Sequence, residues 1–205
     1  MALKNTADAY GWVSKSLHWS MALLMFGMLV GGFYFDKISY SAFQLTLLSW
    51  HKSVGLLVLY LVSGRILWIV YAKKPKVLLS HAKWEYYLSK IVHFFLYGAM
   101  IGMPVSGFIM SQSGGYPVAF FGLEMPRLMD KNENLNQLSY LIHQYLAFAL
   151  IAGILLHVAG GLKHHFIDRD NTLKRMMAKP YAGFIALIGM IFGGWLAITA
   201  WLLLF

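Results

Sequence analysis

The chain contains no cysteine and few charged residues. Of its 205 residues, 12% are charged, whereas a soluble domain has about 25% charged residues. The absence of cysteine excludes disulfides, thiol catalysis, cysteine-ligated iron–sulfur clusters and covalent attachment of a c-type haem. Since 59% of the chain is hydrophobic, this composition predicts a membrane protein. Any cofactor that it binds must be held by side chains other than cysteine.

Five apolar runs are long enough to cross a bilayer, which predicts an all-α membrane protein. They cover residues 17–35, 50–71, 91–112, 138–162 and 181–205. The first run follows Lys4 and Lys15 as in a signal peptide, but no small-residue cleavage pattern comes after it, so we expect a retained helix. No long linker interrupts the series, which indicates one bundle domain.

Basic residues concentrate in alternate connections between these runs. The N-terminal tail and the second and fourth connections contain twelve of the 17 basic residues: Lys4, Lys15, Lys73, Lys74, Lys76, Lys83, Lys90, Lys163, Arg169, Lys174, Arg175 and Lys179. The positive-inside rule therefore predicts a cytoplasmic N-terminus and, after five crossings, a C-terminus on the outer side of the membrane. The formal net charge of +9 thus indicates contact with membrane lipid and no binding of nucleic acid.

Two histidines, His143 and His157, lie fourteen residues apart within the fourth run. At about 100° per residue they leave nearly the same face of a helix, separated by a rise of about 21 Å. That rise covers most of a hydrocarbon core about 30 Å thick. One helix can therefore present a metal ligand near each membrane surface, as two stacked haems require.

Depth then predicts a partner for each histidine. Helix 1 begins at the cytoplasmic surface, whereas helices 2 and 4 begin at the outer surface. His18 and His157 therefore lie near the inner surface, and His51 and His143 lie near the outer one. Each pair brings imidazoles from two helices to one level, as a six-coordinate haem iron requires. His93 also falls at the inner level, and spacing alone leaves open whether it is a ligand or lines the site.

Arg65 repeats the fourteen-residue interval on helix 2, counted from His51. It therefore lies at the depth of His18 and His157. An arginine inside a membrane segment is costly unless it is paired, and a haem propionate is a suitable partner. Extension of the side chain to the nearby interface is an equally good explanation, and the two are compatible.

Small residues flank one of the candidate ligands. Gly153, His157 and Gly161 form one i, i+4 stripe on helix 4. Such stripes commonly allow close helix packing. Because a flat macrocycle also requires the absence of side chains, we interpret this stripe as space for a haem.

The chain resembles the bacterial cytochrome b561 family, a set of small di-haem membrane proteins. The resemblance extends from about residue 13 to residue 177 and depends on an ordered set of motifs rather than on any single one. These are Leu17-His18-Trp19, His51 with Arg65, His93, Met103-Pro104-Val105-Ser106-Gly107, Phe121-Gly122-Leu123, Met125-Pro126, His143, His157, His164-His165 and the segment from Asp170 to Met177.

The resemblance implies a four-helix transmembrane bundle that holds two b haems. It implies that His18 and His157 ligate one haem, that His51 and His143 ligate the other, and that His93 is not an axial ligand. Residues 1–179 would form this domain. Residues 180–205 depart from the family pattern and would add a fifth transmembrane helix, able to dock a redox partner or form a homodimer.

For function, the resemblance implies electron transfer in the bacterial inner membrane, with superoxide oxidised at the outer face and ubiquinone as acceptor. Lys52, together with either Arg127 or Lys131, is a candidate for a positive patch that attracts the anion. An alternative is a cytochrome b subunit that anchors a hydrogenase-type oxidoreductase and relays its electrons. A transporter would need broken helices, and Pro104 is the only proline well inside a segment.

Overall fold

A computed structural model describes residues 2–35, 37–76 and 82–177. Four long helices and a short one cover most of these ranges: α1 (Trp12–Phe35), α2 (Ala42–Tyr71), α3 (Lys83–Ser113), α4 (Glu133–Phe166) and α5 (Thr172–Met176). The first four are long and apolar enough to cross a membrane, which confirms four of the predicted segments. The predicted fifth helix, and with it the second predicted domain, lies outside the described residues.

Each spanning helix begins earlier than its apolar run. Helix α2 begins after Ser41, whose hydroxyl accepts a hydrogen bond from the Gln44 amide. Helix α4 begins after Asn132, whose side chain accepts one from the Leu135 amide. Capping satisfies backbone donors in the polar interface, so the helices extend beyond the hydrocarbon region. At 1.5 Å per residue, the 34 residues of α4 span about 51 Å.

The centre of the bundle is an apolar layer built from all four spanning helices. Its buried residues are Met25, Leu29, Val58, Ala99 and Leu150. Leu150 lies seven residues from both His143 and His157, and Val58 lies seven residues from both His51 and Arg65. The layer therefore separates two polar levels of the bundle, one near each end.

A two-stranded hairpin closes one end, here called the hairpin end. Strand β1 (Ala119–Phe120) pairs antiparallel with β2 (Leu123–Glu124) through a turn in which Phe121 has φ +48° and Gly122 has φ +92°. The buried Ser53 hydroxyl on α2 donates to the Ala119 carbonyl at 2.9 Å and accepts from the Phe121 amide at 3.1 Å. Ser53 thus fixes the hairpin against the helix that carries His51.

The opposite end, here called the α5 end, is closed by the N-terminal part of α1 and by α5. The Lys15 ammonium donates to the Met177 carbonyl at 2.9 Å. The Trp19 indole donates to the Met176 carbonyl at 3.0 Å. These bonds place α5 against the helix that carries His18.

The interpretation of the Gly153 stripe as space for a haem is wrong at Gly153 itself. A Cβ atom there would lie 2.7 Å from the Phe95 ring and 3.2 Å from Leu96 on α3. Gly153 therefore allows α3 and α4 to pack closely, as small residues commonly do between membrane helices.

Gly153→Ala is expected to destabilise the bundle by about 1–3 kcal/mol, because the added methyl group overpacks the contact with Phe95. Thermal unfolding of the detergent-solubilised protein measures the change. Gly160→Ala is the matched control on α4, since a Cβ there meets no atom within 4 Å. Equal melting temperatures for the two variants would contradict this account of the packing.

Candidate functional site

Near the hairpin end, α2 and α4 bring His51 and His143 together. Their ring centres are 6.4 Å apart and the ring planes cross at 67°. The Phe35 ring contacts His51 edge-on, with the ring centres 5.1 Å apart. The two histidines that depth matching pairs at this end are therefore in contact.

Near the α5 end, α1 and α4 bring His18 and His157 together. Their ring centres are 6.0 Å apart and the ring planes cross at 78°. Because α4 is continuous from Glu133 to Phe166, His143 and His157 are about 21 Å apart along its axis. Each imidazole pair therefore lies on its own side of the apolar layer.

Both separations suit a six-coordinate haem iron. With nitrogen–metal bonds of about 2 Å and a ring centre about 1 Å beyond each nitrogen, two imidazoles on opposite sides of one metal have centres about 6 Å apart. The observed values of 6.0 and 6.4 Å match this span. The four histidines therefore fit two bis-histidine b haems.

His93 on α3 is also close to His157. Their ring centres are 5.0 Å apart, which is shorter than two imidazoles with a metal between them require. The Nδ1 atom of His93 is hydrogen-bonded to the Ser89 carbonyl at 2.5 Å, one turn earlier on the same helix. The shorter ring separation favours His18 over His93 as the partner of His157.

Arg65 lies near the His18–His157 pair, as its position fourteen residues from His51 predicts. Its Nε donates to the Tyr97 hydroxyl at 2.8 Å. That bond orients the guanidinium group, and within the described residues its two terminal nitrogens make no hydrogen bond, so they could donate to a carboxylate such as a haem propionate. The sequence reasoning missed Tyr97, which lies one helical turn after His93.

His143 has a backbone partner that the sequence reasoning also missed. Its Nδ1 lies 3.0 Å from the Met103 carbonyl and 3.1 Å from the Ser106 hydroxyl on α3. The Ser106 hydroxyl donates to the same carbonyl at 2.9 Å. Both partner residues belong to the motif from Met103 to Gly107 that the sequence analysis singled out. Their contact with His143 could not be predicted because it depends on the packing of α3 against α4.

An ion-pair network joins α3 to α4 at the α5 end. Lys163 forms salt bridges with Glu85 on α3 and with Asp168, the latter at 2.8 Å. The His164 Nδ1 lies 2.9 Å from Asp168 and 3.0 Å from Asp170. The network fixes the end of α4 and the segment that leads into α5.

Two lysines flank the turn that follows α3 at the hairpin end. The Lys52 ammonium donates to the Pro117 carbonyl at 3.1 Å and lies 5.9 Å from the centre of the Tyr116 ring. The Lys131 side chain lies beside Gly115, with its Cδ atom 3.7 Å from the position that a Cβ atom would occupy there. Arg127 donates instead to the Met129 carbonyl. Positive charge therefore lies beside the His51 level.

The family model for prokaryotic cytochrome b561 matches residues 9–179. The chain is 30% identical to cytochrome b561 homolog 2 of Escherichia coli (strain K12) over 186 residues, which cover 90% of this chain and 99% of the relative. It is 31% identical to the probable superoxide oxidase CybB of Yersinia pestis over 129 residues, which cover 63% of this chain and 73% of the relative.

The matched region contains all four paired histidines, Arg65 and the motif from Met103 to Gly107. This extent of similarity confirms the resemblance predicted from the sequence, together with membrane electron transfer and the b-type haem that the family implies. The chain belongs to the prokaryotic cytochrome b561 family.

Proposed function

We propose that the protein holds two b haems, one between His18 and His157 and one between His51 and His143, and transfers electrons from superoxide to ubiquinone in the bacterial inner membrane. The observation that carries the proposal is the pair of imidazole contacts about 21 Å apart on one continuous helix. The α5 end would be cytoplasmic and the hairpin end periplasmic, in keeping with the positive-inside rule.

The reaction balances as two one-electron oxidations and one two-electron reduction. Two superoxide anions each give up one electron and leave as dioxygen, and ubiquinone takes both electrons with two protons to form ubiquinol. Each haem, when bound, accepts and passes on one electron at a time. The chain's own contribution is to hold the four imidazoles in place and to separate the two levels with the apolar layer.

Positive charge beside His51 supports the hairpin end as the place where superoxide reacts. Lys52 and Lys131 both contact the turn formed by residues 114–117. A local positive field raises the encounter rate of an anion even when the surface as a whole is balanced. The similarity to the probable superoxide oxidase of Yersinia pestis also favours this substrate.

The double variant Lys52→Gln/Lys131→Gln is expected to slow haem reduction by superoxide by about tenfold at low ionic strength, because electrostatic steering is lost. Stopped-flow absorbance of the purified protein, with and without a soluble ubiquinone, measures the rate. The wild-type rate should also fall as salt is added, whereas the rate of the double variant should change little.

Lys73→Gln/Lys74→Gln is the matched control, since both lysines are exposed at the opposite end of the bundle. It likewise removes two positive charges and should leave the rate unchanged. Haems that stay oxidised at every superoxide dose would overturn superoxide as the donor. Haems that become reduced but are not reoxidised by the quinone would overturn ubiquinone as the acceptor.

A further inference from the structure

The hydrogen bonds of His143 determine where its proton lies. The Met103 carbonyl oxygen can only accept a hydrogen bond, so the Nδ1 atom of His143 must donate to it. In a neutral imidazole, the lone pair is then on Nε2. The ring is therefore held in the tautomer that offers Nε2 to a metal.

Helix α3 is shaped to let this ring approach. A Cβ atom at position 107 would lie 3.1 Å from Cε1 and 3.3 Å from Nδ1 of His143, so a side chain there would crowd the ring and glycine lets it lie against the helix. Pro104 lacks an N–H group and removes one backbone hydrogen bond from the same turn. Ser106, only 6% exposed, completes the contact with its hydroxyl.

His143 differs in this respect from the other three paired histidines. Within residues 2–35, 37–76 and 82–177, no hydrogen bond reaches the rings of His18, His51 or His157. Among these four imidazoles, His143 is therefore the one whose Nδ1 donates a hydrogen bond to protein acceptors in the described part of the chain. This asymmetry distinguishes the hairpin-end pair from the α5-end pair.

We propose that Ser106 and the Met103 carbonyl are positioning groups for His143, which fix the orientation of its ring and lower the reduction potential of the haem at the hairpin end. The proposal rests on the proposed function, because it takes His143 as an axial ligand. A hydrogen bond from Nδ1 makes the imidazole a stronger electron donor, which stabilises ferric iron relative to ferrous iron.

Ser106→Ala removes one of the two acceptors and should raise the midpoint potential of one haem while leaving the other unchanged. A potentiometric titration followed by optical and EPR spectra resolves the two haems. The modified haem should also transfer to apomyoglobin at least about tenfold faster, in line with the loss in metal affinity when such partners are removed. Ser106→Thr keeps the hydroxyl and should restore both values.

Ser113→Ala is the matched control, since Ser113 is also a buried serine on α3 and its hydroxyl donates to the Ile109 carbonyl at 2.6 Å. It should change neither potential. Two bound haems with unchanged potentials in Ser106→Ala would overturn this inference and leave the proposed function intact. A wild-type protein that binds no haem would overturn the proposed function itself.

Discussion

Replacing His143 with alanine is expected to reduce the haem content from two b haems per chain to one. His51 would lose its imidazole partner across the 6.4 Å contact, and a single protein ligand does not hold a six-coordinate haem. The second pair, on the other side of the layer that contains Leu150, should keep its haem. A pyridine haemochrome assay against protein concentration, with EPR to count low-spin ferric signals, measures the result.

Gln144→Ala is the control for this experiment. Gln144 is the next residue along α4 and is exposed, about 100° around the helix from His143. It should retain both haems and both EPR signals. Retention of two haems by His143→Ala, or a wild-type content of one, would contradict the assignment of two bis-histidine sites.

The arrangement of the four paired histidines could be predicted from the sequence because it follows from helix geometry. A continuous apolar run fixes both the rise and the rotation between residues fourteen positions apart. The bilayer then fixes depth, so that His18 and His51 could each be matched with a partner on α4. Contacts at 6.0 and 6.4 Å agree with that matching.

Contacts that depend on tertiary packing could not be predicted in this way. The bond between His143 and the Met103 carbonyl depends on which face α3 turns toward α4, and apolar runs do not specify that orientation. The contact of Gly153 with Phe95 could not be predicted for the same reason. A glycine leaves space for either a neighbouring helix or a macrocycle, and the sequence does not say which one fills it. The hairpin at residues 119–124 was missed because its strands are only two residues long.

The helix starts were also predicted too late, for a related reason. An apolar run marks where the hydrocarbon region begins, whereas a helix begins where its first amides are capped. Ser41 and Asn132 provide those caps outside the apolar runs. Hydrophobicity therefore located the membrane-spanning part of each helix but underestimated its length.

The pairing at the α5 end leads to the second large effect. His18→Ala is expected to remove the haem of that end, whereas His93→Ala is expected to leave both haems bound. The ring centres of His18 and His157 are separated by the span that two imidazoles on one metal need, and those of His93 and His157 are closer than that. Haem content and the number of low-spin EPR signals distinguish the two variants.

His93→Ala is thus the matched control for His18→Ala, because both histidines contact the same ring. A variant that fails to fold would lose both haems, so survival of the hairpin-end haem in His18→Ala shows that the bundle is intact. Loss of one haem in His93→Ala with two retained in His18→Ala would reassign the axial pair. Because the ring centre of His93 lies only 5.0 Å from that of His157, we expect its substitution to change the surroundings of His157 rather than the coordination of the iron.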